Sequence, residues 1–296
     1  MNSSYLYLND LRVHYLSWNA DSSSMPVILV HGLASNARIW EKAAPFLVDA
    51  GMALYALDLR GHGLTDKPDG DYDFDTFSRD LTAFMDAMSL EKPLLVGHSW
   101  GAMLALDHAA RFPLGPRSPA GIVLVDGGMT QMDDVPGATW EQTSQRLAPP
   151  RLSGTTVEQF MAMVARGNET WKPDDQDLSI MLANFEVSKE ETISPHLSFE
   201  HHMQILRSMW EYKTYEQFTR LRCPVLMVPA VPADSHRPEQ QAYLALKERG
   251  IQHAEAAINK LSVQHMYDTI HDIPLQRPKE LSEVIIQFAP TIFMTK

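Results

Sequence analysis

The stretch "LLVGHSWGAML", residues 94–104, carries an apolar run into two glycines that bracket a serine. The run predicts the end of a buried strand, and Ala102, Met103 and Leu104 predict a helix that starts at once. A strand that turns directly into a helix forces its corner residue into unfavourable backbone angles and crowds the residues two positions to either side. Gly97 and Gly101 stand at those two positions. Ser99 is therefore expected on a corner with its hydroxyl clear of the chain, a nucleophile's place rather than turn punctuation. Ala102 and Ala105 are small enough to let the helix lie close to the sheet.

Outward from this corner the chain keeps an alternating rhythm. Upstream, residues 5–8 and 11–18 read as two strands joined at Asn9-Asp10, a turn-favouring pair. "PVILV" (26–30) is a short continuous apolar run, as expected of a strand buried on both faces. A helical stretch over 38–48 leads to "MALYAL" (52–57), and residues 74–88 place Phe74, Phe77, Leu81, Phe84 and Met88 at helical spacing. After residues 93–97 and a helix from 99 to 111 comes "GIVLVD" (121–126). Strands alternating with helices of this length predict an α/β fold with a mostly parallel central sheet flanked by helices.

The rhythm stops between 127 and 215. No strand is expected there; amphipathic helical pieces are, over 138–148, 155–167, 176–187 and 199–213, rich in Met, Trp and Phe. Taken singly, those side chains are expected to pack among themselves. Strands and helices resume with "PVLMVP" (224–229), a helix over 237–249, "SVQHMY" (262–267) and a closing helix over 278–288. The division expected is a core of residues 1–126 and 216–296 with an all-helical cap at 127–215.

Composition narrows the function. The 296 residues are 45% hydrophobic and 21% charged, with a net charge of −12, which argues against nucleic-acid binding and against docking on anionic membranes. The single cysteine, Cys223, excludes an intramolecular disulfide framework and any multi-thiolate metal site. The opening residues lack the basic-then-apolar plan of a signal peptide, and no apolar run approaches the roughly 18 residues a membrane span needs. A cytoplasmic protein is expected, and a homodimer is compatible with it. Glu200-His201-His202 suggests metal ligation only superficially, because adjacent side chains diverge on a helix. No phosphate loop and no G-x-G-x-x-G after a strand is present.

Four motifs, in order, resemble the α/β-hydrolase superfamily, and the likeness covers nearly the whole chain. "VILVHGLASNARIW" (27–40) is similar to its His-Gly loop, and "YALDLRGHGLTDKP" (55–68) to its Asp-x-Arg-Gly loop. "GHSWG" (97–101) is similar to its nucleophile elbow, and "HDIPLQRPKEL" (271–281) to its histidine loop. The resemblance implies that Ser99 is the nucleophile and that His271 is its base. His265, within the expected last strand, is read as a packed or edge histidine. His31, His98, Arg60 and His62 are read as organisers of their loops. The acid that orients the base is expected at Asp234, after the strand that follows the insertion, although Pro229 and Pro232 replace the family's Gly-x-x-Asp turn. Asp126, at the end of "GIVLVD", is the alternative. The resemblance assigns the oxyanion donors to the backbone N–H groups of Leu33 and Trp100; the Trp100 ring either lines the pocket or packs beneath the insertion.

These residues imply a serine hydrolase that cleaves small, uncharged, hydrophobic carboxylic esters or lactones through an acyl-enzyme, with no cofactor and no metal. Two alternatives stand beside it: C–C bond hydrolysis or cofactor-free perhydrolysis by the same three residues, and a ligand-binding receptor on the same scaffold. Epoxide and haloalkane hydrolysis are disfavoured, since relatives of that kind carry an aspartate where this chain has Ser99.

Overall fold

The computed structural model describes residues 1–20, 24–135, 137–167, 171–233 and 237–293. β1 (Asn2–Leu8) and β2 (Leu11–Trp18) pair antiparallel about Asn9 and Asp10, whose φ angles of 49° and 66° make the turn that suits hairpin twist. The chain continues through β3 (Pro26–Val30), α1 (Ala44–Asp49), β4 (Ala53–Leu57), α2 (Phe74–Ala87), β5 (Leu94–His98), α3 (Trp100–Arg111) and β6 (Gly121–Val125). Next come α4 (Trp140–Leu147), α5 (Val157–Ala165), α6 (Asp175–Leu182), β7 (Phe185–Val187), β8 (Ile193–Pro195), α7 (Phe199–Glu211) and α8 (Thr214–Phe218). The last part holds β9 (Val225–Val228), β10 (Ala230–Val231), α9 (Pro238–Ala257), β11 (Leu261–Val263), β12 (Met266–Tyr267), α10 (Ile273–Gln276) and α11 (Pro278–Phe293).

Eight strands form one sheet in the order β1-β2-β4-β3-β5-β6-β9-β11, and β4, β3, β5, β6, β9 and β11 are mutually parallel. The central strands are apolar almost throughout, His98 at the end of β5 excepted, because both their faces are covered. Ile28, Val30, Leu95, Ile122, Leu124, Val225 and Met227 pack on the face of α2 and α3. Their neighbours in sequence, Val27, Leu29, Leu94, Val96, Val123, Val125, Leu226 and Val228, pack on the face of α1 and α11. The period of two thus splits one run into two cores. The mostly parallel sheet with helices on both faces is the α/β-hydrolase architecture expected.

Register fixes where function can sit. Val30 pairs with Gly97, and Gly97 with Leu124, so β3, β5 and β6 end side by side. Strand order also reverses at β3, and crevices beyond the strand ends at such a reversal are where open α/β sheets bind ligands.

Four local expectations need correction. The segment between β6 and β9 is not all-helical: β7 and β8 form an antiparallel hairpin, extended by a bridge from Thr156 to Thr192. Phe185 fits an apolar helical face and a strand equally, so periodicity alone did not decide. The helix over 38–48 is two pieces, a 3-10 turn over Ala37–Trp40 and then α1, which begins at Ala44 with Pro45 in its first turn, where proline is well suited. α9 does not stop at Gly250 but runs to Ala257. The strand over 262–267 is two short ones, β11 and β12, in different sheets, with His265 between them.

The segment between β6 and β9 supplies no strand to the main sheet. It is fastened to the core by polar contacts. Asn36 donates to the Ile180 carbonyl at 3.0 Å, and Lys42 pairs with Asp174 and Asp177 at 2.8 and 2.9 Å. The Tyr72 ring stacks on His201 with centroids 3.9 Å apart.

Candidate active site

Ser99 follows β5 and caps α3 with φ 56° and ψ −121°, a conformation that non-glycine residues seldom adopt. A Cβ on Gly97 would overlap the carbonyl of Gly101, and one on Gly101 would overlap the carbonyls of Val30 and His31. Both glycines are therefore required by close backbone approach. The elbow is held from the next strand as well, by the Ser99 N–H on the Val125 carbonyl at 2.8 Å.

The Ser99 hydroxyl lies 2.9 Å from Nε2 of His271, and Nδ1 of His271 lies 2.6 Å from Oδ2 of Asp126. A carboxylate only accepts, so Nδ1 carries the proton and Nε2 is left to accept from the serine. The carboxylate on His271 is thus Asp126, the alternative of the sequence reading, and not Asp234, which lies outside the described residues. The reason is geometric. β6 neighbours β5, and Asp126 leaves it with φ 44°, which turns its side chain toward the serine corner. The Asp-Gly-Gly sequence at 126–128 was the missed signal: a Cβ on Gly127 would overlap the backbone of Ser99. A glycine after an acid at a central strand end marks a turn pressed against the elbow.

Oδ1 of Asp126 is also occupied. It accepts the Ala230 N–H at 2.9 Å and the Lys247 ammonium at 2.6 Å. Lys247 was missed by the sequence reading, yet it left a trace. Lys247, Ile251 and Ala254 share one face of α9 at i, i+4 and i+7, and all three are buried.

Burial would raise the Asp126 pKa, but the His271 hydrogen bond and the Lys247 charge outweigh it and bring it down to about 2. Burial would lower the His271 pKa; the hydrogen bond and charge of Asp126, aided by Asp272, hold it above the usual histidine value. His98 is pushed down to about 4 by burial and by the nearby His271.

The remaining motif histidines organise loops. His31 accepts the Leu59 N–H through Nε2 at 3.1 Å and donates through Nδ1 to the Gly32 carbonyl at 2.7 Å. His62 donates to the Arg60 carbonyl at 2.9 Å and accepts the Ala34 N–H at 3.2 Å. Together they hold the turn that carries Leu33. Gly32 abuts the serine, where a Cβ would come 3.1 Å from that of Ser99. The Trp100 N–H opens α3, where first-turn N–H groups have no partner within the helix. The Trp100 ring is packed, stacked on His62 at 5.7 Å and edge-on to Phe77 at 4.6 Å. Arg60 is taken up by a two-pronged ion pair with Asp80 at 2.7 and 2.8 Å. His265 is half-buried and lies 3.8 Å from Glu248.

A cleft of about 700 Å³ opens between the loops bearing Ala34 and His62 and the β6–β9 segment. Its walls include Pro149, Leu152, Phe185 and Leu197, with the polar Arg151 and Glu200. His201 and His202 diverge, the first stacking on Tyr72 and the second lining the cleft. Among the described residues no helix is long and apolar enough to cross a membrane.

The profile of the alpha/beta hydrolase fold family matches residues 25–179, just over half of the chain, and the protein belongs to this family. It is 39% identical over 94 residues to the haloalkane dehalogenase of Mesorhizobium japonicum, covering 32% of this chain and 30% of that one. It is 31% identical over 111 residues to the non-heme chloroperoxidase of Streptomyces lividans, covering 38% and 40%. The chain thus spans about a third of the length of these curated relatives. Among solved structures, E-2-(acetamidomethylene)succinate hydrolase superposes with a TM-score of 0.76 at 18% identity, covering 98% of this chain and 99% of that one. At that identity the likeness is one of fold.

Proposed function

We propose that the protein is a serine hydrolase of small carboxylic esters or lactones, with Ser99 as nucleophile, His271 as base and Asp126 as the acid that orients it. The observation that carries this reading is the unbroken chain from the Ser99 hydroxyl through His271 to Asp126, at 2.9 and 2.6 Å, on a corner that only glycine neighbours permit. His271 takes the serine proton as the oxygen attacks the ester carbonyl, then returns it to the departing alcohol. Water, deprotonated by the same imidazole, releases the acid and regenerates the serine. The N–H groups of Leu33 and Trp100 receive the oxyanion, each worth about 3–4 kcal/mol when well placed. The β6–β9 segment serves as the cap over this site. The test is hydrolysis of a short-chain chromogenic ester by purified protein, lost in Ser99→Ala. A wild-type protein that turns over no ester or lactone would overturn the reading.

The likeness to a non-heme chloroperoxidase favours one second reading. In perhydrolysis, hydrogen peroxide replaces water at the acyl-enzyme and yields a peracid with the serine restored. Peracid formation from acetate and peroxide, faster than ester hydrolysis, would select it.

A further inference from the structure

Lys247 is a charged side chain only 4% exposed, placed behind the acid and away from the serine. Taking a cation out of water costs several kcal/mol even after relaxation, so such a lysine persists only where its hydrogen bonds are met. Two are: Nζ reaches Oδ1 of Asp126 at 2.6 Å and the carbonyl of Ala230 at 2.9 Å. The Ala230 N–H reaches the same Oδ1 at 2.9 Å, so carboxylate, lysine and peptide close a ring. The Tyr243 ring, one turn away on α9, lies 4.5 Å from the ammonium.

We propose that Lys247 is a positioning residue of the active site: by holding Oδ1 of Asp126 against Ala230 it aims Oδ2 at His271, and by its charge it limits how strongly that carboxylate holds the imidazolium. The proposal rests on reading Asp126 as the orienting acid. A carboxylate on a single-bonded side chain can rotate, and a lone contact to His271 would not fix it. With Oδ1 pinned by two donors from β10 and α9, only Oδ2 is free to face the base.

The charge has a calculable sign. The groups facing His271 are Asp126 from the end of β6, Asp272 from its own loop, His98 from β5 and Lys247 from α9 behind Asp126. The carboxylates favour the imidazolium and Lys247 opposes it. Removing the lysine charge strengthens the grip of Asp126 on the proton, and the base then stays protonated to higher pH.

The experiment follows His271 by nitrogen-15 NMR in the resting protein, in wild type, Lys247→Met and Lys247→Gln, with ester turnover measured against pH in parallel. Both neutral variants are expected to titrate His271 about one pH unit above wild type, and the acid limb of kcat/KM to move with it. Lys247→Met, which keeps the length but no donor, is expected to lose about tenfold or more in kcat; Lys247→Gln, which keeps a donor, loses less. A His271 titration unchanged in both variants overturns the proposal, as does failure of both to fold, which would make Lys247 a residue of the fold alone. Asp126→Asn separates the two readings. If it lowers the His271 titration while the lysine variants do nothing, only the proposal about Lys247 fails. If it leaves His271 unmoved, the assignment of Asp126 fails.

Discussion

His98 donates through Nε2 to the main-chain carbonyl of His271 at 2.9 Å, so the residue before Ser99 holds the loop of His271. The two rings sit 4.9 Å apart, tilted by 43°. Because a carbonyl only accepts, His98 must keep its proton on Nε2. Burial and the His271 charge push its pKa down to about 4, so it stays neutral near pH 7 and works as a fixed strut. Ser99 and His271 lie 172 residues apart in sequence and are joined here by one hydrogen bond directly and by a second through His98.

That arrangement makes the pH dependence a single ionisation. In the proposed mechanism His271 must be neutral to accept the serine proton, and its pKa lies above the ordinary histidine value because Asp126 outweighs burial. The kcat/KM of ester hydrolysis is therefore expected to rise with pH through a limb above about 6.5. Stability runs the other way. The Asp126–His271 pair, whose histidine pKa is raised by folding, contributes fully below the unfolded pKa and loses that contribution as pH rises through the folded one. A limb below 6, with His271 titrating there by NMR, would contradict the charge balance described.

Asp126→Asn is expected to lower kcat by about three to four orders of magnitude, because an amide can present a donor to Nδ1 and so select the wrong tautomer. Asp234→Asn is expected to change kcat less than threefold. The two variants, assayed with one ester at one pH and checked for equal unfolding midpoints, rank the two carboxylates directly. The reverse ranking would return the acid to Asp234.

These residues also show how far the chain could be read. The elbow was legible because its physics is local: strand, glycine, serine, glycine and helix lie within eleven letters. His31, His62 and His98 were legible as loop organisers because each sits inside a motif. The choice between Asp126 and Asp234 was not local. It depended on which strand ends beside β5, and register between strands is a long-range property that no window contains. Lys247 was hidden for a related reason. Its inward position on α9 follows from Ile251 and Ala254, but its partner Asp126 stands 121 residues earlier.

Gly250 gives a prediction from that same helix. In an exposed helix interior, Gly→Ala gains about 1 kcal/mol. Here a Cβ would overlap the carbonyl of Met129, just after β6, so the helix and that loop touch through the glycine. Gly250→Ala is instead expected to destabilise by about 1–3 kcal/mol, as over-packed sites do, and to reduce kcat by moving Lys247 three residues before it. Chemical denaturation gives the sign. A stabilised variant would mean that α9 shifts freely.

A phosphonylating inhibitor is expected to modify Ser99 and to leave Ser3 untouched. The control matters because Ser3, His14 and Asp58 repeat the same order of atoms at the sheet edge, with Ser3 Oγ 2.9 Å from His14 Nε2 and His14 Nδ1 2.7 Å from Asp58 Oδ2. Yet Asp58 also accepts from the Ala37 and Leu64 N–H groups, and Ser3 lies within the regular strand β1, paired with Leu16, and not on a strand-to-helix corner. Mass spectrometry of the labelled protein locates the adduct. A label on Ser3 would show that hydrogen-bond order alone, without the corner and its oxyanion donors, activates a serine in this chain.

The cleft beside His62 is lined by Ala34, next to Leu33, but by neither Ser99 nor His271, and the proposal that it takes the acyl chain makes its own prediction. Pro149, Leu152, Phe185, Leu197 and Phe199 dominate its walls, so each added methylene that fits is expected to gain up to about 0.8 kcal/mol, near fourfold in kcat/KM, until the space is filled. Its cation, Arg151, lies 5.2 Å over the Phe199 ring and shares the cleft with Glu200, an arrangement that offers a free carboxylate no dedicated counter-ion. Neutral acyl esters are therefore expected to outpace a dicarboxylate half-ester of equal length by about tenfold or more, since an unpaired charge is costly to desolvate. The measurement is kcat/KM across acyl lengths from acetate to octanoate, with one succinate half-ester, in wild type and Arg151→Ala. Faster turnover of the half-ester, lost in Arg151→Ala, would make Arg151 a carboxylate anchor and replace the hydrophobic preference with an anionic one.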